Sequence, residues 1–156
     1  MHLDRTKLVL DKALAVLKVI KTDKDLIASY FSDYILIVFF SELEEKIKES
    51  LHEALLKATT KELSVFLSTT MDTIFKRIDK KNLGKTIKYF GGSNKERFDS
   101  LLDDGTSQKY INFIENRHKV AHPGESVTVS WEEVKEVVNV GEKVINAFRL
   151  SLGLKP

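Results

Sequence analysis

The chain contains no cysteine, only two prolines and a single tryptophan among 156 residues. Without Cys there is no disulfide framework, no thiolate nucleophile and no Cys-ligated zinc or iron–sulfur cluster. Long apolar runs are also missing. The longest, residues 34–40, is seven residues, far short of the roughly 20 that span a bilayer, so no membrane partner is expected. Near the start, Asp4 and Asp11 interrupt the apolar residues and no signal-peptide hydrophobic block is present, which makes a cytoplasmic protein the expectation. At 42% hydrophobic residues the chain is not disordered. Its length suits one domain, residues 1–156, burying about 70% of its unfolded surface. There is no internal repeat, low-complexity tract or linker.

A strong net charge is lacking as well, since 25 basic and 23 acidic residues leave +2. The excess is nonetheless local. Residues 58–90 carry seven basic and three acidic residues, while the segments on either side are neutral or slightly acidic. Most of the surplus lies in Lys76, Arg77, Lys80, Lys81, Lys85 and Lys88. Such a stretch fits a phosphate-contacting surface, with Tyr89 and Phe90 beside it for base stacking. A solvated helix end fits the same charges.

The apolar periodicity is helical almost throughout. Asp4 is placed to cap a first helix with Leu8, Leu10, Leu14, Leu17 and Ile20 on one face. Asp23 or Asp25 would open a long second helix reaching about Lys57. The first half of that helix, YFSDYILIVFF, is apolar on every side and so needs cover on every side. Either its own neighbours or a second subunit would supply it. Thr59-Thr60-Lys61-Glu62 fits a capping box for a third helix to about Ile78, and residues 82–90 make a short fourth. Ser93-Asn94-Lys95-Glu96 fits another box. Thr106 or Ser107 would cap the helix that Pro123 ends. Residues 123–129 have extended character, and Ser130-Trp131-Glu132-Glu133 boxes the last helix, stopped by Gly153. The expected fold is an all-α, up-down bundle of about five to six helices.

Two of the four His fall together in Glu115-Asn116-Arg117-His118-Lys119-Val120-Ala121-His122-Pro123-Gly124. Three readings compete. His118 and His122 lie four apart on one helical face, as metal ligands would. However, Arg117 and Lys119 repel a dication, and no carboxylate base lies between the two His. A second reading is structural, with Arg117 paired to a carboxylate and His122 favoured at a helix C-terminus. With five Arg and four His, Arg-x4-His arises by chance in about one such chain in eight, so the spacing alone does not decide. The third reading is phosphodiester chemistry. Arg117 is a planar, permanent cation suited to phosphate, and His122 exchanges a proton near neutral pH. No metal or other cofactor is required. A symmetric dimer would bring two Arg/His sets together, one as base and one as acid.

The string from Arg117 to Gly124 resembles the signature of the HEPN superfamily: Arg, a polar residue, three further residues and His, at the end of a late helix in an all-α domain. The Ala-His followed by a small turn, then a capped final helix, looks like the RiboL-PSP and MAE_28990-type branches. The resemblance implies a bundle that dimerises with the two motifs facing each other. It also implies a metal-independent endoribonuclease of a toxin–antitoxin, abortive-infection or other defence system, with RNA as substrate and an antitoxin or associated defence protein as partner. On that basis Arg117 and His122 are the catalytic pair and His118 and Asn116 support them. Lys119 joins the basic stretch in contacting RNA. Some members of the superfamily are non-catalytic and bind a partner protein or nucleic acid, which is the alternative function. Where a toxin branch paired with a nucleotidyltransferase commonly has Tyr beside the His, this chain has Ala121.

Overall fold

The structure is a computed structural model that describes residues 2–75, 77–121 and 128–156. Lys76, His122 and residues 123–127 lie outside the described residues. The helix end expected at Pro123 and most of the expected extended stretch fall there. The described residues form eight helices and no strand: α1 (Asp4–Val19), α2 (Lys24–Ala58), α3 (Lys61–Ile74), α4 (Lys80–Lys88), α5 (Gly92–Leu101), α6 (Asp104–Ala121), α7 (Trp131–Val134) and α8 (Val137–Ser151). The all-α class is as the periodicity predicts. There are more helices than the five to six expected, partly because the last segment divides into α7 and α8.

The central element is α2, which packs against α1, α3, α6, α7 and α8. By length and composition it passes as a membrane span, with a window of mean hydropathy 1.5. Its apolar side chains have another use here. Ile35, Leu36, Phe39, Phe40, Leu43 and Ile47 are fully buried in the bundle core. Phe39 meets Phe40 edge-on at 4.8 Å between ring centroids and Phe113 of α6 at 6.3 Å, geometries that suit the ring quadrupoles. Gly141 lets α8 approach this cluster, since a Cβ there would overlap Leu3 Cδ1 and Phe39 Cε2. The other side of α2 is left uncovered by the described residues. Leu26, Tyr30, Tyr34 and Ile37 are each at least half exposed. The neighbours therefore account for only part of the cover that the apolar stretch requires.

Several helix starts differ from the sequence expectation, each for a local physical reason. Asp4 does not cap α1. Carboxylates from distant helices take the first-turn N–H groups instead: Glu42 accepts from Arg5 N at 2.9 Å and Thr6 N at 2.8 Å, and Glu142 accepts from Leu3 N at 3.2 Å. The N-cap of α3 is Thr60, which accepts from Leu63 N. This leaves Thr59 as the C-cap of α2, so the expected box does not form, and α3 closes at Ile74 rather than Ile78. The fourth helix opens two residues early because the Asp79 carboxylate accepts from Asn82 N at 2.9 Å and from Asn82 Nδ2 at 2.6 Å. Gly91, at φ 136°, turns the chain so that α5 starts before Ser93 can cap it. Asp103, not Thr106 or Ser107, caps α6; its carboxylate accepts from Thr106 N at 2.8 Å and Thr106 Oγ1 at 2.6 Å. The Ser130–Glu133 box forms with both of its hydrogen bonds.

These caps set the acid limit of the fold. The Glu42 side chain is 4% exposed. Burial alone pushes its carboxyl upward, but hydrogen bonds from Arg5 N, Thr6 Oγ1 and Thr6 N, with the Arg5 charge, outweigh that and leave it below the usual range. Hydrogen bonds from Thr106, with Lys143 nearby, lower Asp103 to about 2. A carboxylate whose folded pKa is depressed stabilises the fold above its unfolded pKa and ceases to do so as pH falls through the folded one. Stability is therefore expected to be level from pH 7 to about 5 and to decline from about 4.5 toward 2. Urea unfolding of Glu42→Gln should show a loss of about 2 kcal/mol at pH 7 and a shallower acid decline. An unchanged acid limb in that variant would show that other groups set it.

Candidate active site

The last three turns of α6 carry most of the candidate residues. On a helix, residues three and four apart share a face. Ile111, Ile114, Glu115 and His118 thus form one stripe, with Arg117 to one side of it and Asn116 to the other. The stripe faces the α4–α5 layer, and Arg117 faces α2.

Arg117 is half-buried. Its guanidinium carbon lies 5.6 Å from the centroid of the Phe40 ring, a cation–π contact that limits where the planar fork can swing. Together with Phe40, Arg77, Ile78, Asp79, Ile114 and His118 it lines a depression of about 20 Å³. Two permanent cations and an exposed imidazole thus converge on one spot. Tyr110 lies below, fully buried, and its hydroxyl donates to the Ile78 carbonyl oxygen. Burial, reinforced by the Asp79 charge and opposed by Arg117, pushes its pKa far up, so it stays a neutral donor. That bond holds the backbone at Ile78, beside Arg77, against α6.

Asn116 is fully buried and has a different function from that of a reacting group. Its Nδ2 donates to Asn112 O at 2.9 Å and Asn112 Oδ1 at 3.0 Å. Its Oδ1 accepts from Thr128 N at 2.6 Å, Thr128 Oγ1 at 3.1 Å and Val129 N at 3.2 Å. One side chain therefore holds the backbone at Thr128 and Val129 against α6. Lys119 also turns that way, its Nζ donating to Thr128 Oγ1 at 3.4 Å.

The basic stretch divides. Lys80 and Lys81 fall in the first turn of α4 and line a groove of about 550 Å³ with Asp79, Gly84, Lys95, Asp99, Ile111, Ile114 and Glu115. This groove shares Asp79 and Ile114 with the Arg117 depression. Lys85 and Lys88 are exposed on α4 and line neither. Lys76 and His122 lie outside the described residues. Among the described residues no three His, Asp or Glu side chains converge as a metal site would need. Sequence reasoning had passed over Phe40, Tyr110, Lys95 and Glu115 as parts of this region. The spacing Ile111, Ile114, Glu115, His118 signals Glu115, whereas Phe40, Tyr110 and Lys95 are brought in by tertiary packing alone.

The fold and the Arg-x4-His string that begins in α6 define the class, a HEPN-type helical domain. The RiboL-PSP-HEPN family model matches residues 7–153, and the chain belongs to that family. No curated protein and no solved structure matches it.

Proposed function

We propose that this protein is a metal-independent endoribonuclease, a toxin or defence effector that cleaves RNA in the cytoplasm. HEPN domains are frequently ribonucleases. The observation that supports this reading most directly is the convergence of Arg77, Arg117 and His118 in one depression, next to the Lys80–Lys81 groove. Permanent donors lining one depression suit the charge that builds on a phosphorane. In the proposed reaction the 2′-oxygen attacks the adjacent phosphorus and the bond to the 5′-oxygen breaks. His122 moves a proton, either from the 2′-hydroxyl or to the leaving oxygen, and Arg117 holds the non-bridging oxygens. Because one imidazole does not serve readily as both base and acid, we propose a homodimer that presents two Arg117/His122 sets. The uncovered face of α2 at Tyr30, Tyr34 and Ile37 is apolar surface that a second subunit would cover. An antitoxin or associated defence protein would hold the activity in check.

The test is direct. Purified protein incubated with single-stranded RNA in excess EDTA should yield fragments ending in 2′,3′-cyclic phosphate. RNA that is bound but never cut would instead support the non-catalytic HEPN module, and cleavage abolished by EDTA would overturn the metal-independent mechanism.

A further inference from the structure

We propose that the groove between α4, α5 and α6 is the binding site for the base next to the cleaved phosphate, and that Glu115 makes it selective for guanine. This rests on the ribonuclease reading for its substrate. The groove, about 550 Å³, falls within the range of small-molecule sites, roughly 300–1,000 Å³. Its lining is in part apolar, with Ile111 and Ile114 of α6 and Gly84 of α4, which suits the faces of a flat ring. It shares Asp79 and Ile114 with the Arg117 depression beside it, so a base seated here would leave its phosphate toward Arg117 and Arg77.

The rim determines which base fits. Of its three carboxylates, two are engaged. Asp79 caps α4 through Asn82, and Asp99 pairs with Lys95. Glu115 is exposed and has no hydrogen-bond or ion-pair partner among the described residues. An ionised carboxylate only accepts, so it selects a base edge with two adjacent N–H donors. Guanine offers N1–H and N2–H side by side, whereas adenine, cytosine and uracil each set a single donor beside an acceptor. Single-stranded RNA exposes these edges. Lys81, likewise without a partner among the described residues, is left for the backbone phosphate.

The experiment measures binding of 2′-O-methyl tetranucleotides, which lack the attacking hydroxyl, differing in one base. Wild type is expected to bind the guanine oligonucleotide about tenfold tighter than the other three, with inosine, which lacks the N2 amine, losing most of that preference. Glu115→Gln should equalise the four. Gly84→Leu should weaken all of them, because a Cβ there meets only the flexible Lys95 side chain, at 3.6 Å, and the added atoms would fill the groove. Equal affinity for all bases in wild type, a guanine preference that survives Glu115→Gln, or no binding at all would overturn the proposal. Guanine-selective binding with no cleavage of the unmodified RNA supports the subsite and overturns the ribonuclease reading; cleavage without base preference does the reverse.

Discussion

Arg117→Ala and His122→Ala are each expected to lower RNA cleavage by about 10²–10⁴-fold while the fold survives. Arg117 sits over Phe40 at 5.6 Å, a contact worth about 0.5–1 kcal/mol at a partly exposed position. Its removal therefore costs little stability, and the loss of activity in Arg117→Ala is separable from unfolding. Arg117→Lys is the sharper variant. Lysine retains the charge but presents a point cation on a flexible stem in place of a planar fork. If the fork is what holds the phosphorane oxygens, Arg117→Lys should fall close to Arg117→Ala, with helical dichroism and melting temperature near wild type. Growth arrest on expression, relieved by either alanine substitution, would report the same chemistry in cells. Cleavage within a few-fold of wild type in His122→Ala would end the catalytic assignment, whatever the family does elsewhere.

The parts of the fold legible in the sequence were those written in local chemistry. The helical period placed Leu10 and Leu17 of α1 inward, where both are buried, and the Ser130–Glu133 box formed with both bonds because all its partners lie within four residues. Caps supplied from afar were not legible. Glu42 is 37 residues from Arg5 in the chain and Glu142 is 139 from Leu3, and nothing in a local window connects them. Asp103 was passed over for a different reason: Asp103-Asp104-Gly105 reads as a turn, yet an Asp followed three residues later by Thr106 satisfies a helix start equally well. At the candidate site, Arg117 and His118 were visible as a string. Phe40 came to Arg117 from 77 positions upstream, and Lys80 and Lys81 gained a groove only when α4 began at the Asp79 cap. A charge run on its own does not distinguish a solvated helix end from a cavity rim. Here Lys85 and Lys88 are the former, and Lys80 and Lys81 the latter.

Asn116→Ala is expected to cost about 3 kcal/mol of stability, the second large effect, and to impair cleavage without removing a reacting group. The Asn116 Oδ1 receives both Thr128 N and Val129 N, and Val129 is 8% exposed. Losing the acceptor leaves two backbone donors to find water at a mostly buried place, at about 1–3 kcal/mol for each such group. Because Ala121 closes α6 and Thr128 is where the tether takes hold, His122 belongs to a stretch whose far end Asn116 fixes. Slackening that end should lower kcat with little change in KM, since the groove proposed to bind RNA is untouched, and the deficit should shrink on cooling. Asn116→Asp sharpens the test. It retains an acceptor for both N–H groups but places a second oxygen where Nδ2 had donated to Asn112 O and Oδ1, so acceptor faces acceptor around a buried charge. The carboxyl should therefore be raised in the folded state, and the variant should be worse than Asn116→Ala at pH 8 and recover as pH falls and the acid protonates. Arg117→Ala would show neither the stability loss nor that pH response. An Asn116→Ala protein as stable as wild type would show that the 128–129 segment is held by other contacts.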